Sequence, residues 1–135
     1  MSQPRITDHY AKLGAKMGGV YGWGAVREDE GTVFLSVWMN EGKTIGGKSY
    51  YMVLRGNPVK ITNGLRERVR HLDLIRQGAA CYLTLCRPVN ENADEKRIKT
   101  FDGAYLWRAG ELKEHDGDLY IEELERIPTK VMQIK

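Results

Sequence analysis

The sequence predicts an α+β domain built as a strongly curved, mostly antiparallel half-barrel sheet, with one main packed helix and a short N-terminal helix. Three observations point there. Thr32–Met39 (TVFLSVWM) is rich in β-branched and aromatic residues and apolar on both faces, the pattern of a strand inside a fold rather than at its edge. Asn63–Gln77 has apolar residues at helical spacing and runs through Gly78 straight into a second core strand, Ala79–Cys86 (AACYLTLC). The remaining strands follow one another through short turns, without the strand–helix–strand alternation that builds a parallel sheet. Six strands in a domain this small must curl, and the helix then plugs one side of a half-open barrel.

Taken in order, Ile6–Lys16 reads as a short helix, capped by Thr7 or Asp8, with Tyr10, Leu13 and Met17 on one face and Gly18-Gly19 at its end. Val20–Arg27 and Thr32–Met39 read as a hairpin around the turn Glu28–Gly31. Asn40–Lys48 is polar and glycine-rich, hence a loop, and Ser49–Leu54 is a third strand, broken by Gly56-Asn57-Pro58. Asn63 is the expected cap of the main helix, whose packed face is traced by Leu65, Val69, Leu72 and Ile75 or Arg76. Arg87–Lys99 reads as an exposed loop. Gly103–Glu114 and Leu119–Ile127 form a hairpin around Asp116-Gly117, and Val131–Ile134 adds a terminal strand.

The chain of 135 residues fits one domain, 1–135, able to bury a core without staples. Hydrophobic residues make up 41% and charged residues 29%, as in ordinary globular proteins. No apolar run is long enough to span a bilayer, and Met1–Thr7 has no signal-peptide core, so a cytoplasmic protein without a membrane partner is expected. Cys81 and Cys86 stand five apart in one strand and face opposite ways, which argues against a disulfide between them. The net charge of +3 is unevenly spread. Arg55–Arg76 holds six basic residues against Glu67 and Asp73, whereas Glu111–Glu125 holds seven acids against Lys113. A basic region of this kind suits an anionic partner.

Two constellations carry the functional expectation. Tyr21 and Trp23, interleaved with Gly22 and Gly24, lie on one strand and Trp38 on the next; such rings can sandwich a nucleobase. Their competing role is core packing. On the main helix, Arg66, Arg68, Arg70 and Arg76 can contact phosphates, with Lys60, Arg87 and the loop cations Lys43, Lys48, Lys96, Arg97 and Lys99 extending the patch. An ordinary solvated face, with Glu67 paired to Arg70 or His71, is the competing reading. Asp29, Glu41 and Lys43 faintly match the acid, strand, acid–x–lysine pattern of metal-dependent nucleases, although Gly42 puts the last two in a loop. His9, His71 and His115 are isolated and form no nucleophile arrangement.

The aromatic strands, the helix Asn63–Gln77, Gly78, the strand AACYLTLC and the long hairpin after it together resemble the PUA-like small barrels, a superfamily that includes the EVE and ASCH domains. The resemblance lies in layout, from about Val20 to Ile127; the glycine–lysine pair of the ASCH signature is missing near the helix. It implies a module that binds nucleic acid, DNA or RNA, and takes a modified base into a cage of Tyr21, Trp23 and Trp38, with the helix arginines on the backbone. No cofactor, metal or catalytic residue is implied. The alternatives are a protein-interaction or inhibitor domain working through the acidic hairpin Glu111–Glu125 and, after it, a metal-dependent nuclease.

Overall fold

A computed structural model of the chain describes residues 5–17, 23–57, 62–90, 92 and 98–133. The architecture is α+β. Its elements are α1 (Ile6–Lys12), β1 (Gly24–Arg27), β2 (Thr32–Trp38), β3 (Gly42–Ile45), β4 (Lys48–Leu54), α2 (Asn63–Arg76), β5 (Cys81–Pro88), β6 (Ile98–Phe101), β7 (Tyr105–His115), β8 (Asp118–Pro128) and α3 (Thr129–Met132). The strands form one mixed sheet in the order β1-β2-β5-β7-β8-β4-β3, with β6 also paired to β5. The β2–β5 ladder is parallel and the other ladders are antiparallel. The sheet is therefore mixed, and among the described residues it does not close into a barrel: no ladder joins its end strands β1 and β3, nor β2 to β4.

The two tight hairpins follow from glycine chemistry. Asp116 and Gly117 both take positive φ, 50° and 85°, the conformation a two-residue turn needs to match strand twist. Gly46 and Gly47, at 58° and 81°, do the same between β3 and β4. The expected loop Asn40–Lys48 is thus a 3-10 turn over Met39–Glu41 followed by a strand, because a Gly-Gly pair turns a chain as well as Asp-Gly does. Two further expectations are corrected. Residues 129–132 form the short helix α3 instead of opening a strand, and β6 pairs within the stretch read as loop. The α2 cap is Thr62, whose hydroxyl accepts from the Leu65 amide at 3.1 Å, one residue ahead of Asn63. Gly18-Gly19, Pro58 and Ile134 lie outside the described residues.

Strand alternation gives β2 and β5 two different faces. Val33, Leu35 and Val37, in register with Cys81, Leu83 and Leu85, point into the main core, where Leu72 of α2, Val53, Leu119 and Ile121 meet them. On the other face Phe34 pairs with Tyr82, Ser36 with Thr84 and Trp38 with Cys86. Tyr10 and Leu13, from the α1 side, join Phe34 and Leu106 in a second, smaller cluster. Cys81 and Cys86 are buried free thiols, Cys81 in the main core and Cys86 on the face under α1. Burial pushes both thiols up to about 12, so they stay protonated near neutral pH.

The packed face of α2 corrects the sequence reading. It runs through Gly64, Leu65, Arg68, His71 and Leu72, while Val69 is 41% exposed. Arg68 stands three residues after Leu65 and four before Leu72, so it shares their side of the helix. It is 4% exposed. Its Nη1 donates to the Val53 carbonyl at 2.8 Å, and its Nη2 donates to the carbonyls of Ser36 at 2.6 Å and Trp23 at 2.7 Å. One guanidinium thereby joins β4, β2 and the residue before β1. It bridges the interval between β2 and β4 that no ladder closes. Burial lowers its pKa to about 10, which still leaves it charged at neutral pH.

Replacing Arg68 with Met preserves the stem but takes the donor from the Val53 and Ser36 carbonyls, while Trp23 still accepts from the Ser36 amide at 2.9 Å. We expect a loss of about 3 kcal/mol or more in urea unfolding, with Arg68→Lys also well below wild type because an ammonium lacks the planar fork. An Arg68→Met protein as stable as wild type contradicts this role.

Candidate functional site

The described candidate residues gather unevenly. Trp23 meets α2. Its indole lies across Gly64, where an added Cβ would stand 2.6 Å from Trp23 Nε1, and the Arg68 guanidinium is 5.4 Å from the ring centroid. Only glycine at position 64 permits this approach of ring to helix. Gly24 plays the matching part beneath: a Cβ there would fall 2.6 Å from the Phe34 carbonyl oxygen and 2.9 Å from His71 Nδ1. Trp23 itself is half-buried.

Arg66, Arg70 and Arg76 lie exposed on α2, each with a neighbour three residues away. Arg66 Nη1 donates to Asn63 at 3.4 Å, Arg70 pairs with Glu67 at 2.6 Å, and Arg76 pairs with Asp73 at 3.3 Å. Exposed pairs of this type hold their partners by only about 0–1 kcal/mol, so a phosphate can compete for the guanidinium groups. Arg68 is the correction: its side chain is consumed by the fold and is not on the exposed face. His71 is buried as well, its Nε2 3.2 Å from Glu67 Oε1, and burial lowers its pKa. The helix exposes a basic ridge narrower than the sequence suggested.

Trp38 is placed elsewhere. It follows Ser36 on the β2 face that α1 covers, in register with Cys86, and is half-buried there. It does not join Trp23 on the helix. Tyr21, Gly22, Lys60, Lys96 and Arg97 lie outside the described residues. Arg87 and Lys99 are exposed on β5 and β6. Lys43 sits 5.7 Å from the centroid of the Tyr120 ring, and Lys48 lies between Glu111 at 3.9 Å and Glu122 at 3.7 Å.

The other two constellations are dispersed or engaged. Asp29 lies in the turn before β2, bonded to Arg27 at 3.1 Å, whereas Glu41 lies beyond the far end of that strand, 3.4 Å from Arg55. A seven-residue strand separates them, so they do not share an ion. Among the described residues no group of three or more His, Cys, Asp or Glu side chains is arranged to hold a metal. On the acidic hairpin, Glu111 accepts from the Tyr50 hydroxyl at 2.6 Å, a bond that holds the glutamate low and pushes the phenol up to about 12. Glu125 pairs with Arg108, and Glu122 with Lys48. Several of the hairpin acids therefore face cations or hydroxyls of this same chain.

No family model, curated protein or solved structure matches this chain. Among the described residues, no helix is long and apolar enough to cross a membrane.

His9 is 5% exposed, and its Nε2 is 3.0 Å from Thr84 Oγ1. Burial lowers its pKa to about 4, with Asp102 pulling the other way. The unfolded chain then binds this proton first, near 6.5, so stability is intact above that pH and falls as pH drops toward 4. The expected loss is about 3 kcal/mol across that window. Urea midpoints recorded from pH 7 to pH 4 check it, and His9→Gln must flatten the slope; an unchanged slope contradicts the assignment.

Proposed function

We propose that the chain is a nucleic-acid-binding module whose contact surface is the solvent ridge of α2 with Trp23 at its head. One observation carries the reading: the half-buried Trp23 ring rests on the first turn of the helix, at Gly64, and that same helix exposes Arg66 and Arg70 beyond it. An aromatic surface and guanidinium groups on one rigid element are what a strand needs, with a base stacking on the ring and phosphates following the arginines. Arg76, exposed at the far end of the helix, is turned about 120° from Arg70 and lies off this ridge. The frame is the PUA-like half-barrel, with the sheet curled about α2 and Arg68 set in its opening.

Fluorescence anisotropy with labelled single- and double-stranded DNA and RNA, at two salt concentrations, tests this. Binding is expected to weaken steeply with salt, and Arg66→Gln with Arg70→Gln is expected to reduce the log–log salt slope by about 1.4 to 1.8. Methylated and unmodified oligonucleotides in parallel ask whether a modified base is preferred. No binding at low salt, or binding indifferent to Arg66 and Arg70, removes the reading.

A further inference from the structure

The face of β2 and β5 beneath α1 is built unlike a face meant only for packing. Along it, in register, stand an aromatic pair (Phe34 and Tyr82), a hydroxyl pair (Ser36 and Thr84) and a ring beside a thiol (Trp38 and Cys86). Phe34 and Tyr82 are stacked, with centroids 5.9 Å apart. The two hydroxyls are buried between aromatic walls, and buried hydroxyls need partners. Both partners come from one short element. Tyr10 Oη lies 2.6 Å from Ser36 Oγ, and His9 Nε2 lies 3.0 Å from Thr84 Oγ1. The Tyr10 ring is fully buried, 5.1 Å from His9 and 6.2 Å from Phe34, while Phe101 meets His9 at 5.0 Å. A flat ring with a polar edge thus already fills an aromatic, hydrogen-bonding cradle.

The attachment of α1 suits a cover. The helix is seven residues long and belongs to no ladder. Isolated helices that short are not stable by themselves. The chain after it is fixed by a bridge in which the Lys16 and Val26 amides each donate to the other's carbonyl, at 2.9 and 3.1 Å. Between helix and bridge lies Gly14 at φ 71°, a residue free to change its backbone angles. The helix can swing about Gly14 while Lys16 stays on β1.

We propose that α1 is a displaceable cover and Tyr10 a resident stand-in for a nucleobase, which enters the cradle of Phe34, Ser36, Trp38, Tyr82 and Thr84 when α1 swings away. Ser36 and Thr84 meet the polar edge of the base, and Trp38 supplies a wall for its face. This inference rests on the nucleic-acid reading and gives Trp38 a task that the α2 ridge does not.

Hydrogen–deuterium exchange on the wild-type protein, free and saturated with the oligonucleotide that binds best, tests it. Amides of residues 6–13 are expected to lose protection at least tenfold in the complex, while β2 and β5 keep theirs. An oligonucleotide with abasic sites is expected to bind along α2 but leave α1 protected. A second readout compares the tryptophan emission of the wild-type protein with that of Trp38→Phe; the intact oligonucleotide is expected to quench a Trp38-dependent part of the emission that the abasic one leaves unchanged. Binding with unchanged α1 protection, or equal effects of intact and abasic strands, overturns the cover and leaves the α2 reading standing. Absence of any binding overturns both.

Discussion

The structure turns on one buried guanidinium. A charge taken out of water costs several kcal/mol unless hydrogen bonds replace its hydration; both Nη nitrogens of Arg68 find them in three main-chain carbonyls from three separate places in the chain, while its buried Nε finds no partner among the described residues. Two of those carbonyls lie on β2 and β4, which no ladder joins among the described residues, and the third, of Trp23, also accepts from the Ser36 amide. The same contact fixes Trp23 twice, through its carbonyl and through its ring. Gly24 and Gly64 then follow as requirements, because α2 can bring Arg68 this deep only if nothing projects from the chain at those points.

This arrangement separates two surfaces that the sequence had joined. One face of β2 and β5 is spent on the core around Leu72, and it is apolar throughout. The other carries hydroxyls, a thiol and aromatic rings, and is satisfied by α1 rather than by the sheet. Trp23 belongs to the α2 side and Trp38 to the α1 side. The acids of the β7–β8 hairpin are drawn toward Tyr50, Lys48 and Arg108, much as Arg70 and Arg76 of α2 pair with Glu67 and Asp73.

Much of this was legible in the sequence. Apolar TVFLSVWM and AACYLTLC mark two core strands, Asp116-Gly117 marks its hairpin, and the two cysteines do fall on opposite faces. The failures have particular causes. Arginine is usually exposed, so Arg68 was grouped with Arg66 and Arg70 by charge, although its spacing from Leu65 and Leu72 placed it inward. Val69 misled in the opposite sense, since an apolar residue at roughly helical spacing can still face water. Gly46-Gly47 suggests a loop by composition, but its two positive φ angles make it a tight turn between strands. The parallel pairing of β2 with β5 has no local signal at all; it is set by the packing of elements far apart in the chain.

Side-chain nitrogen NMR of Arg68 tests the central claim most directly. A guanidinium held by the carbonyls of Trp23, Ser36 and Val53 should give separately resolved Nη protons that exchange slowly with water at neutral pH, with scalar couplings across the hydrogen bonds to those three carbonyl carbons. A freely rotating Arg68 group, averaged and in rapid exchange with solvent, would contradict the account.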